Sequence, residues 1–133
     1  MSVTWAATAP ESGRFCAVER CSDMSELTEH FGALRSRGRG YLEVRLPDAE
    51  FPLLALGFQG GRAVLHLFDA DDTVFLLAGD GTRAADALLH VPVMDDLAAF
   101  SGDFVLAVDR AWDLVRRFVA TGAPGPLGEW HGV

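Results

Sequence analysis

YLEVRLPDAEFPLLALGFQGGRAVLHLFDADDTVFLLAGDG, Tyr41 to Gly81, holds four short apolar runs separated by turn chemistry. Tyr41 to Leu46 alternates, with Leu42, Val44 and Leu46 on one face and Tyr41, Glu43 and Arg45 on the other, the pattern of a half-exposed strand. Leu53 to Phe58 reads as a second strand, and Gln59-Gly60-Gly61 as a hairpin turn. Arg62 to Phe68 and Thr73 to Ala78 follow, divided by the turn Asp69-Ala70-Asp71-Asp72 and closed by Gly79-Asp80-Gly81. Strands joined by turns this short must be antiparallel neighbours, so the stretch predicts a meander. Its middle strands are apolar on both faces. One face must meet helices, and the other needs cover from another helix, the N-terminal segment or a second chain. In a single domain, cover from within the chain is expected.

Outward from this centre, a helix is predicted from Ser22, with Asp23 as its cap and Glu26 in the capping-box position. Leu27, Phe31 and Leu34 form its apolar stripe, Arg35 and Arg37 suit its last turn, and Gly38 ends it. The residues before it show no clear period. On the other side, Ala84 to Asp96 is ambiguous: Leu88 to Val93 fits a short strand and Met94 to Phe100 a helical turn. Phe104 to Val108 reads as a strand. Asp109 is the expected cap of a final helix that buries Ala111, Leu114, Val115, Phe118 and Val119 and exposes Arg110, Asp113, Arg116 and Arg117. Gly122, Pro124 and Pro126 stop it, and the tail PLGEWHGV is extended. The expected fold is α+β, an antiparallel sheet of about five or six strands with two main helices packed on it.

The 133 residues suit one domain able to hold a core without metal or disulfide staples. Half are apolar and 23% charged, a composition that excludes disorder and fibrous classes. The longest nearly unbroken apolar run, Phe51 to Phe58, is far short of the ~20 residues of a membrane span. The first dozen residues carry neither a basic start nor a long apolar stretch, so no secretory leader is expected and the expected location is the cytoplasm. Nineteen carboxylates face eleven arginines, and there is no lysine, for a net charge of −8. Phosphate contacts need clustered cations, so nucleic-acid binding is not expected, whereas a basic protein partner is permitted.

No catalytic, cofactor or metal site is expected. Cys16 and Cys21 match no zinc pattern and read as ordinary small side chains in a reducing compartment. Counted from Asp69, a calcium loop would need Gly sixth and Glu twelfth, but Val74 and Asp80 stand there. His30, His66, His90 and His131 lack metalloprotease or deaminase spacing, and His66 sits on an otherwise apolar strand face. The glycines of Gly57 to Gly61 and Gly79 to Gly81 form neither a dinucleotide fingerprint nor a P-loop and read as turns. There is no G-x-S-x-G nucleophile elbow.

VLAVDRAWDLVRRFVATGAPGPLGEW, Val105 to Trp130, has a recognisable form: a strand, an aromatic-apolar helix, then F-x-x-T-G-x-P followed by an acid and Trp. Upstream, FPLLALGFQGGRAVLHLF and the GDG turn stand in matching order. Together, over Gly40 to Trp130, these resemble the first Imm family of immunity proteins of bacterial polymorphic toxin systems. Thr121, Gly122, Pro124 and Trp130 fall on the family's terminal motif, whereas Leu88 to Asp103 departs from its pattern. The resemblance implies an α+β domain, common in actinobacteria, that neutralises a cognate toxin, often of deaminase fold, by binding it. The partner-binding candidates are then Asp69, Asp71 and Asp72 at one turn, Asp95, Asp96 and Asp103 in the middle segment, and Trp130. Carboxylates suit a basic site. Trp130 also reads as a lid that pins the tail to the core. A small-molecule-binding or enzymatic α+β domain is the alternative, which a deep apolar pocket with converging polar groups would favour.

Overall fold

Ten strands and two helices form three layers in the computed structural model, which describes residues 2–70 and 72–133. The strands are β1 (Ser2–Thr8), β2 (Phe15–Asp23), β3 (Arg39–Arg45), β4 (Leu53–Gln59), β5 (Arg62–Ala70), β6 (Thr73–Leu77), β7 (Leu88–Val93), β8 (Asp96–Ser101), β9 (Leu106–Ala107) and β10 (Trp130–Gly132). The helices are α1 (Met24–Arg37) and α2 (Val108–Thr121). An eight-stranded sheet has the order β10-β6-β5-β4-β3-β1-β2, with β9 beside the first residues of β5. β7 and β8 make a separate two-stranded sheet. The α+β class and the antiparallel β3-β4-β5-β6 meander agree with the sequence, and Gln59 pairs with Arg62 around Gly60-Gly61. The sheet is larger than five or six strands because both chain ends join it.

The N-terminal hairpin escapes periodicity for a physical reason. β1 is buried on both faces from Val3 to Thr8, whereas β2, at the sheet edge, is mostly exposed on both, so neither alternates. Ser22 and Asp23 end β2, and α1 starts only at Met24. Asp23 is its cap, its Oδ1 accepting the Glu26 N–H at 3.0 Å. Gly38 closes α1 with φ +98°, donating to the carbonyls of Leu34 and Arg35. Leu27, Phe31 and Leu34 meet Leu42, Val44, Leu54, Leu56 and Phe58 of the sheet and the buried stripe of α2 in the main core. Phe31 stacks on Trp112 at 4.2 Å and meets Phe58 edge-on, joining both helices to the sheet.

The β7–β8 hairpin covers the opposite face. Val91 packs on Val64 and Leu76, with Leu89, Phe100 and Phe104 around them, so the doubly apolar strands are indeed covered by the chain itself. Three readings change as a result. Tyr41 is buried rather than exposed, with Phe15 edge-on against its ring. Met94 to Phe100 is not a helical turn. Met94 takes a left-handed φ of 58° at the hairpin tip and β8 pairs with β7 from Asp96 onward. Gly57 is not a turn residue but a strand-interior glycine at the crossing, where a Cβ would stand 2.4 Å from the Pro92 carbonyl oxygen.

The entry to α2 also differs. Gly102–Phe104 is a 3₁₀ turn, and only Leu106–Ala107 remains of the expected strand. Ala107, not Asp109, occupies the cap, and its N–H donates to Asp80 Oδ2 at 2.9 Å, so the GDG turn supplies the carboxylate. Asp109 instead accepts from Arg35 Nη1 at 2.8 Å and ties α2 to α1. The stripe Ala111, Leu114, Val115, Phe118 and Val119 is buried as expected. Beyond Gly122 the tail makes a 3₁₀ turn at Gly125–Leu127 before β10 pairs with β6. No helix among the described residues is long and apolar enough to cross a membrane.

Candidate functional site

The tip of the β7–β8 hairpin brings two sequence-chosen carboxylates together. Asp95 and Asp96 are exposed, and Asp95 Oδ1 accepts the Phe15 N–H at 2.7 Å, which fastens the tip to the start of β2. With Thr8, Gly13, Arg37, Arg39, Pro92, Met94 and Leu97 they line a cleft of about 190 Å³. Arg37 is committed within it, donating to the Pro10 carbonyl at 2.7 Å. The volume lies below the ~300–1,000 Å³ usual for small-molecule sites. A second cleft, of about 390 Å³, lies between the end of β6 and α2 and includes Asp80 and Arg110. Burial pushes the Asp80 carboxyl up, but hydrogen bonds from Thr82 and the Ala107 N–H outweigh this and hold it below the usual range. That carboxylate serves the fold.

The other candidates lie elsewhere. Asp103 follows the far end of β8, a strand length or about 17–20 Å from the tip, so it forms no cluster with Asp95 and Asp96. Its carbonyl accepts the Gly79 N–H at 2.6 Å. Asp69 and Asp72 are exposed at the turn between β5 and β6, at the opposite end of β5 from the row that contains Arg39. Asp71 lies outside the described residues. Trp130 is half-buried against the main core, and its Nε1–H donates to the Pro124 carbonyl at 2.9 Å. Thr121 Oγ1 donates to the Arg117 carbonyl and accepts the Ala123 N–H, while Gly122 takes φ +70°. The T-G-x-P…E-W motif therefore ends α2 and pins the tail.

Three further features surround the hairpin, of which the sequence marks only His66, as a histidine on an apolar strand face. The first is an exposed apolar face on the hairpin: Leu88 is 62% exposed, Met94 51% and Leu97 54%. Leu88, His90, Leu97 and Ala99 point outward while Leu89, Val91, Ala98 and Phe100 turn inward. Alternation marks two faces, but nothing in the residue types says which one meets water. The second is His66, which lies under the hairpin, edge-on to Phe100 at 5.2 Å and near Phe68 at 6.2 Å. Burial pushes its imidazole down to about 4, so it is neutral at pH 7. It makes no hydrogen bond to a carboxylate among the described residues, unlike an activated base. The third is a polar brace on the hairpin-side face. Arg45 donates to both oxygens of Glu19 at 2.8 and 2.9 Å, which holds that carboxyl below its ordinary range against desolvation. Tyr41 donates to Glu43 at 2.7 Å, and burial together with that carboxylate pushes its phenol up.

Cys16 and Cys21 are free and exposed. Their partners Ala7 and Thr4 are three residues apart along β1, about 10 Å, beyond the ~7 Å Cα reach of a disulfide. Among the described residues no three His, Cys, Asp or Glu side chains gather as a metal site. No protein-family model matches the chain, and no curated protein matches it.

Proposed function

We propose that this chain is an immunity protein that binds a cognate bacterial toxin in the cytoplasm, a deaminase-fold toxin being the kind the family resemblance implies, and neutralises it by occupation rather than by chemistry. The observation that carries the reading is the excess of carboxylates in the segment that builds the β7–β8 hairpin. Between Asp80 and Phe104 five carboxylates face the single Arg83, leaving that segment four charges negative. Asp95 and Asp96 project at the hairpin tip, where a carboxylate can take the place of a phosphate in a basic groove. The two helices, by contrast, carry five arginines against four carboxylates, a net +1, so the net −8 comes entirely from the rest of the chain. An acidic surface repels nucleic acid and attracts the cationic surface of a protein that binds it.

Growth rescue tests the reading. The resemblance implies a toxin gene beside this one; co-expression of the chain with the toxin domain that gene encodes should restore growth of a sensitive bacterial host, and the two purified proteins should form a stoichiometric complex. A chain that neither rescues nor binds sinks the proposal.

A further inference from the structure

We infer that the outward face of the β7–β8 hairpin, centred on Leu88, Met94 and Leu97, is the docking face for a protein surface that is apolar at its centre and ringed by lysine or arginine. The inference rests on the immunity reading and adds where and by what chemistry the partner is held. Five large apolar residues among those described are well exposed, and three of them belong to this one hairpin. A strand that faces solvent normally places polar residues outward. Here the outward positions are Leu88, His90, Pro92, Leu97, Ala99 and Ser101, none of them a carboxylate or arginine. Clustered exposed apolar groups with a polar rim mark interaction surfaces.

The rim chooses the occupant. Asp86 and Asp103 flank the end with Leu88, and Asp95 and Asp96 flank the end with Leu97, all four exposed. Arg83 stands near the first end, and Arg37 and Arg39 line the tip cleft, so four carboxylates face three arginines and stay in excess by one. A second copy of this chain would oppose carboxylate to carboxylate across a two-fold axis, which disfavours self-association through this face. A cationic rim around an apolar centre satisfies both parts. The face is also held in place: the Asp95–Phe15 hydrogen bond fixes its tip, and Val91 anchors its underside on Val64 and Leu76. A presented, rigid face loses little freedom on binding.

The test uses the full chain and the toxin domain encoded beside its gene. Leu88→Glu and Leu97→Glu, at already exposed positions, should each weaken binding at least tenfold with the circular dichroism spectrum unchanged. Val18→Glu, at a still more exposed position on β2, should stay within twofold. Raising the salt from 50 to 500 mM should weaken the wild-type complex at least tenfold. Wild-type binding with both leucine variants unaffected overturns this inference and leaves the immunity reading standing. Salt-insensitive binding overturns the cationic partner. A wild-type dimer that Leu97→Glu dissolves assigns the face to a second copy and also overturns it. A wild-type chain that does not bind the toxin overturns both.

Discussion

His66 and Gly57 are two residues on which the hairpin's seat depends, each through a different interaction. His66 has its conjugate acid destabilised by burial, to about 4 in the fold against about 6.5 in an unfolded chain. Between those values the unfolded state binds the extra proton. The contribution is therefore fully present above pH 6.5 and is lost as pH falls toward 4. From pH 7.5 to pH 5 the loss amounts to about 2 kcal/mol. Glu19 and Asp80, held low by their hydrogen bonds, lose stability in the same direction at lower pH. His66→Phe isolates the histidine: its urea midpoints at pH 7.5 and 5 should lie closer together than those of the wild type. Equal gaps would place His66 in water rather than under Phe100. At Gly57 the interaction is steric, because a Cβ would stand 2.4 Å from a backbone oxygen and 3.3 Å from Val91 Cγ2. Gly57→Ala should cost about 1–3 kcal/mol in urea unfolding, the range of an overpacked core. Gly61→Ala, whose Cβ meets only open space, should stay within about 0.5 kcal/mol.

At the scale of elements, α2 is the firmest part of the molecule. Phe118 is fully buried on the stripe with Leu114 and Val115, so Phe118→Ala should lower the unfolding free energy by about 3–5 kcal/mol. An unchanged urea midpoint would mean that the helix turns another face to the core. This stripe was legible because a 3.6-residue period and a glycine stop act within one element. The meander was legible because Gly60-Gly61 and the acidic turn cut apolar runs of strand length. The β7–β8 hairpin was only half legible. Leu88 to Val93 carries strand signals, but Asp96-Leu-Ala-Ala-Phe-Ser has weak ones, and pairing with β7 overrides them. The Asp80 cap on α2 was out of reach, because it joins residues 27 apart in sequence. The candidate site was read in part. Asp95 and Asp96 are conspicuous as acids, but their separation from Asp103 follows from β8 being extended. The exposure of Leu88 and Leu97 follows from which side of the hairpin meets Val64.

At the scale of the whole molecule, the two acidic turns lie at different places, and this makes their roles separable. A partner seated on the hairpin tip meets Asp95 and Asp96 directly. The turn with Asp69 and Asp72 lies at the far end of β5, roughly 25 Å along that strand from the Arg39 row. That is two to three Debye lengths at 0.1 M salt, so its charge reaches an incoming partner only at low salt. Exposed charges steer encounter more than they hold a complex. Asp95→Asn with Asp96→Asn keeps an oxygen to accept the Phe15 N–H, so the tip stays fastened while two charges go. This double variant should slow association with the toxin several-fold at 50 mM salt and flatten its salt dependence, with a smaller change in the dissociation rate. Asp69→Asn with Asp72→Asn should leave association within about twofold at 150 mM salt, where screening is complete over that distance. Stopped-flow traces of both variants decide the matter. Slowing by the Asp69 pair alone would move the docking face to the β5–β6 turn, and no effect from either pair would leave an interface held by apolar contact without steering.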